Sequence, residues 1–214
     1  MYINIHSNQK VSGSTFAIQY RHDVFTDLPK SYFSAGLTPG QITEVWPTHF
    51  TLLEAALNSS RALAVSGCGL NKTCVVNWQL QQKAFMAQLS LAHSLNKPII
   101  VNSIRADDEL VQTIRKNQPA QAVLFQYRNQ PWALAEKLLN AGFWLCFDKN
   151  PEWPHGQQVL LQTPLNRLLF YSDDAATPVE ELYKTAAGIK ALNPDEIILQ
   201  MEINFKNVFK IPVP

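Results

Sequence analysis

Between Ala55 and Ala106 the chain has no aspartate or glutamate, although Arg61, Lys72, Lys83, Lys97 and Arg105 are all present. Such a stretch can bring no negative charge to a divalent-cation site, which depends on carboxylates. Cysteine is also scarce: residues 68, 74 and 146, an odd number with neither zinc-ribbon nor redox spacing. They read as reduced thiols, and the expected location is cytoplasmic. No apolar run approaches the roughly 18 residues that cross a bilayer. Met1 to His6 lacks the charged and apolar regions of a leader. No membrane partner is expected. Charge of one sign is missing too, since 18 basic and 17 acidic residues leave a net +1. That excludes a global electrostatic footprint for nucleic acid.

What the chain does have is apolar material, 46% of 214 residues, which excludes a disordered polymer. No repeat, low-complexity tract or linker interrupts it, so a single domain over 1–214 is expected. Strands are expected at Tyr2–His6, Thr15–Tyr20 and Tyr32–Leu37. Eight residues separate the first two, fewer than the dozen or so of an ordinary parallel crossover, so a tight antiparallel turn is expected there. From Pro47 onward the pattern is regular. Leu52, Leu53, Ala56 and Leu57 make a helical stripe. Arg61–Val65 reads as a strand ending at the glycine turn Ser66-Gly67-Cys68-Gly69, and Val76–Leu95 as a helix. Strands at Lys97–Val101, Gln121–Tyr127, Phe143–Phe147 and Arg167–Tyr171 alternate with helices at 107–116 and 131–140. Asp148–Thr163 reads as loop with one short helix. Two helices close the chain, with capping boxes at Thr177-Pro178-Val179-Glu180 and Asn193-Pro194-Asp195-Glu196.

The order of short motifs resembles that of the TatD-like metal-dependent deoxyribonucleases. Asn4-Ile5-His6-Ser7-Asn8 stands where that family has D-T-H-C-H, and Gly36-Leu37-Thr38-Pro39 where it has G-x-H-P. Ser66-Gly67-Cys68-Gly69-Leu70-Asn71 is similar to G-E-x-G-L-D. Pro98-Ile99-Ile100-Val101-Asn102-Ser103 is similar to P-V-I-I-H-S. Ala122 to Tyr127 resembles G-V-L-H-C-F, Arg167 to Asp173 resembles R-L-L-L-E-T-D, and Glu202 to Phe209 resembles T-x-N-x-x-x-L-F. The resemblance implies an α/β fold, a single TIM-like (β/α) barrel that is truncated and irregular in its N-terminal quarter. It also implies two divalent cations in the barrel mouth and hydrolysis of phosphodiester bonds.

Carried over position by position, only His6 and Asp173 keep a metal-ligating type, and Asp173 is the catalytic candidate if the chain is active. The other ligand positions are Asn8, Gly67, Asn102 and Phe125, and the histidine before the family proline is Thr38. Two divalent cations place about four positive charges within ~4 Å. One carboxylate and one imidazole, with Asp174 as a newcomer, cannot offset them. No cofactor is therefore expected beyond at most one weakly held Mg²⁺ or Ca²⁺.

Other constellations carry less. Cys68, His6 and Asp173 invite a nucleophile reading, against which stands simple packing of Cys68. His22-Asp23 follows the second strand and falls at the opposite end if that strand is antiparallel. His49, His93 and His155 read as surface, loop or helix-start residues, Trp144 as core and Trp153 as a loop residue near the mouth. Three functions compete: a non-catalytic binding or scaffold protein (a pseudoenzyme), a single-ion phosphodiesterase, or new chemistry at Cys68 or Asp173. Nucleic acid enters as a partner by family analogy only. The helix-poor N-terminal side needs a cover, for which a homodimer is one candidate.

Overall fold

The structure, a computed structural model, describes residues 1–8, 14–21, 29–119, 121–148, 155–173 and 178–213. The candidates His22, Asp23, Trp153, Asp174 and Thr177 lie outside the described residues. Eight strands follow in sheet order β1 to β8, the order of a TIM-like (β/α) barrel. From β3 onward each strand is followed by an α-helix, and among the described residues no α-helix precedes Trp46. Among the described residues this agrees with the expected helix-poor first quarter. None of these helices is long and apolar enough to cross a membrane. By its contacts the chain divides into two compact units, Met1–Gln19 with Phe125–Pro214, and Tyr20–Leu124.

In the first unit, β1 (Tyr2–Ser7) pairs in parallel with β2 (Thr15–Arg21), Tyr2 opposite Thr15 and Asn4 opposite Ala17. The expected antiparallel turn is thus overturned. A six-residue strand is only ~20 Å long at ~3.3 Å per residue, and the eight peptide steps from Ser7 to Thr15 can reach ~26 Å or more. A parallel return is therefore within reach of a link of that length. β7 (Trp144–Phe147) and β8 (Leu168–Phe170) are also parallel, with Phe147 opposite Phe170. β6 (Val123–Gln126) begins at the edge of the unit, and Tyr127 N just beyond it donates to Cys146 O at 2.9 Å. The helices are α4 (Trp132–Asn140), α5 (Gly156–Gln162), α6 (Val179–Lys190) and α7 (Pro194–Phe209). The capping box of α7 forms as expected, with Asp195 N on Asn193 Oδ1 at 2.9 Å and Asn193 N on Glu196 Oε2 at 2.8 Å. Ile197, Met201, Phe205, Val208 and Phe209 are buried, and Phe205 meets Phe16 of β2 edge-on at 5.3 Å.

In the second unit, β3 (Phe33–Ala35), β4 (Ala62–Asn71) and β5 (Ile99–Ile104) are parallel neighbours. Around them lie α1 (Trp46–Leu57), α2 (Trp78–Ser94) and α3 (Asp107–Asn117). The first surprise is the length of β4. It does not end at the glycines but runs through them to Asn71, because the extra residue is absorbed as a bulge: Val65 to Cys68 on β4 spans the same ladder as Ile99 to Val101 on β5. Leu53, Ala56 and Leu57 of α1 face inward, but Leu52 is 45% exposed and leaves the expected stripe. The start of α2 is set by Asn77, whose side chain accepts from Gln79 N and Leu80 N. Gln88 of α2 is fully enclosed, accepting from Leu37 N at 2.7 Å and donating to Leu37 O at 3.2 Å. It fastens the chain just after β3 to the helix layer.

Candidate functional site

In the first unit, β1 and the segment that follows β8 bring His6 and Asp173 close together. His6 Nε2 lies 3.7 Å from Asp173 Oδ2. This is not an ion pair: burial pushes the His6 imidazole down to about 3, so the ring is neutral at ordinary pH. The same ring meets Tyr171 edge-on at 6.1 Å. The carboxyl of Asp173 is pushed up to about 7, by burial first and then by the charge of Asp148 beyond β7, against the Asn8 N–H bonded to it and the nearby Arg128. Its Oδ1 is buried without a hydrogen-bond partner among the described residues. Arg128 and Asp148 therefore belong to the surroundings of this carboxyl. The motif comparison does not reveal them, since neither stands at a ligand position. Their one sequence signal is that each directly follows an expected strand.

Asn8, expected at a ligand position, contributes its backbone to Asp173 while the residue itself is exposed. Phe125, expected at a ligand position, is fully buried on β6, and its apolar ring offers no donor atom. Asn4, two residues before His6, is 2% exposed. Its Nδ2 donates to Ser172 O at 2.9 Å, and its Oδ1 accepts from Ser172 N at 3.1 Å and from His6 N at 3.2 Å. The His6 backbone and the segment leading to Asp173 are thereby held by one side chain.

In the second unit, Gly67 and Asn102 lie within the adjacent strands β4 and β5. Gly67 has φ +74°, within the bulge. A Cβ built on it would lie 2.2 Å from the hydroxyl oxygen of Tyr20, and 2.6 and 2.7 Å from two ring carbons. Gly69, opposite Asn102 in the ladder, has φ +148°, and a Cβ there would lie 1.8 Å from Asn102 O. That close approach leaves no room for a side chain at Gly69. Cys68 between them is fully buried, with Sγ 3.7 Å from Ile100 O, and burial pushes its thiol up to about 12. A thiol so protonated and enclosed is a packing group rather than a nucleophile.

The residues do not fit the pair of divalent cations that the motif order implies. Of the expected ligand positions, those with a ligating side chain are His6 and Asp173 in the first unit, while the second unit offers Gly67 and Asn102. Among the described residues no three His, Cys, Asp or Glu side chains are grouped closely enough to hold an ion.

Comparison with known proteins agrees with this geometry on fold. Residues 10–210 match the family described as TatD related DNase. The human 3'-5' RNA nuclease TATDN2 is 28% identical over 127 residues, 55% of this chain, and the chain spans 17% of that protein's length. The YJJV TatD homolog of Escherichia coli K-12 superposes with a TM-score of 0.76 at 20% identity, over 85% of this chain and 77% of that one. A TatD family hydrolase from Entamoeba histolytica gives a TM-score of 0.79 at 11% identity, over 97% of both chains. On the strength of a match that runs nearly end to end, the chain belongs to the TatD-related DNase family.

Proposed function

We propose that this family member has lost its dinuclear metal site, does not hydrolyse phosphodiesters by a two-metal route, and serves as a binding or scaffold protein. The observation that carries the reading is the donor set. Of six ligand positions, four are Asn8, Gly67, Asn102 and Phe125, one of them an enclosed phenyl ring. Amide oxygens bring no charge, glycine brings no donor, and a phenyl ring cannot coordinate. A two-metal site needs negative charge to hold about four positive charges within ~4 Å, and loss of one supporting group alone typically costs ten- to a hundred-fold in affinity or activity.

A second reading is a phosphodiesterase working with a single ion. It is favoured by the 3.7 Å approach of His6 to Asp173, since a neutral imidazole and a carboxyl are a usable beginning of a coordination sphere. The experiment that separates the two is a nuclease assay with Mg²⁺, Mn²⁺ and Zn²⁺. Its substrates are single- and double-stranded DNA, and single-stranded RNA, the last because of the activity named for the human relative. No metal-dependent cleavage above background supports the first reading. Cleavage that disappears in Asp173→Ala establishes the second.

A further inference from the structure

Gly67 stands where the family carries a metal-ligating carboxylate. The space beside Gly67 is already filled. The backbone at Gly67 sits at φ +74° in a bulge of β4, a conformation in which a side-chain-bearing residue is strained. The first atom of any side chain there would fall 2.2 Å from the Tyr20 hydroxyl oxygen and under 3 Å from two carbons of its ring. Tyr20 belongs to β2, 47 positions away in sequence (67 minus 20), so nothing local to the glycine motif announces it.

We infer that Tyr20 is the occupant that took over the space of the lost carboxylate, so that no single substitution at Gly67 can restore it. The phenol and the glycine form an exchanged pair. With Gly67 present, the ring packs against bare backbone. With any larger residue present, either the ring or the bulge must move. The inference extends the reading that the metal pair is not held, and it adds that the loss is locked by two residues rather than one. Removing the hydroxyl alone would not release the lock, since two ring carbons also lie under 3 Å from the built Cβ.

The test is a double-substitution cycle read by thermal unfolding of the whole chain, using Gly67→Ala in three backgrounds. With Tyr20 intact, Gly67→Ala combines backbone strain with overpacking and is expected to lower Tm by about 6–12 °C. In the Tyr20→Ala background only the strain remains, and the drop shrinks to about 2–4 °C. In the Tyr20→Phe background the full drop persists. If Tyr20→Ala fails to fold, Tyr20→Val keeps a strand-forming residue while removing the ring, and the cycle is repeated there with the same expectation. An equal drop with and without the ring overturns the inference. The failure modes are separable: a nuclease-active wild type would end the loss-of-metal reading whatever this cycle shows, and an uncoupled cycle would end the Tyr20 assignment while leaving that reading in place.

Discussion

Asn4 bonds both main-chain groups of Ser172, donating to its carbonyl at 2.9 Å and accepting from its N–H at 3.1 Å. A side chain thus does between β1 and the end of β8 what a ladder of backbone bonds does between paired strands. Both partners are buried, so the bonds compete with no water. Asn4→Ala is expected to remove both of these bonds from the enclosed Ser172 main chain. Each such bond lost to a buried group costs ~1–3 kcal/mol, so the loss should total ~2–6 kcal/mol in chemical denaturation. Asn4→Asp keeps the acceptor but removes the donor and adds a buried charge, and is expected to be at least as damaging. A change under ~0.5 kcal/mol would contradict the role given to this residue.

Stability should depend on pH through two opposed groups. His6 titrates at about 3 in the fold against 6.5 ordinarily. The unfolded chain therefore binds the extra proton first, and the His6 contribution is present above 6.5 and lost as pH falls towards 3. Asp173 titrates at about 7 against 3.8. The folded chain holds that proton more tightly, so its contribution is full below 3.8 and lost as pH rises through 7. The His6 side chain is 5% exposed and that of Asp173 37%, so solvent screens the second effect more and the first prevails. Net stability is expected to rise between about pH 3 and 6.5. Asp173→Asn should steepen that rise by removing the opposing group. His6→Asn should leave a decline between about pH 4 and 7. A wild-type Tm that falls steadily from pH 4 to 6.5 would reverse this ranking.

The second motif glycine is expected to tolerate nothing larger. Gly69→Ala would place a methyl 1.8 Å from Asn102 O, a backbone atom that cannot swing aside. Severe loss of folded protein is expected, measured as soluble yield and Tm. The Gly69→Ala loss should exceed that of Gly67→Ala, whose obstacle is a side-chain ring. Equal tolerance at both sites would mean that β4 and β5 approach less closely than their ladder indicates.

Much of this was legible in the residues themselves. The β-branched run Ile99-Ile100-Val101, the apolar spacing from Ile197 to Phe209 and the Asn193 box all signal locally, and the elements formed where those signals lie. The order of the motifs identified the barrel. The direction of β2 was not legible, because a short link suggests a hairpin unless strand length is weighed against the reach of an extended chain. The run of β4 through Gly67 was not legible either, since glycines mark a bulge as readily as a turn. At the candidate site, residue types led to the expectation that Asn8, Gly67, Asn102 and Phe125 stand at ligand positions without a metal-ligating side chain. They could not reveal what fills the vacated space or neighbours the surviving carboxyl, because Tyr20, Arg128 and Asp148 reach their places by tertiary packing alone.

The central claim, that this chain does not hold the family's pair of cations, is tested most directly by metal stoichiometry. The purified chain is dialysed to equilibrium against Mn²⁺, and separately Zn²⁺, and bound metal is measured beside Asp173→Ala. The account predicts less than one tightly held ion per chain, with little difference between wild type and variant. Two ions per wild-type chain, lost on Asp173→Ala, would contradict it.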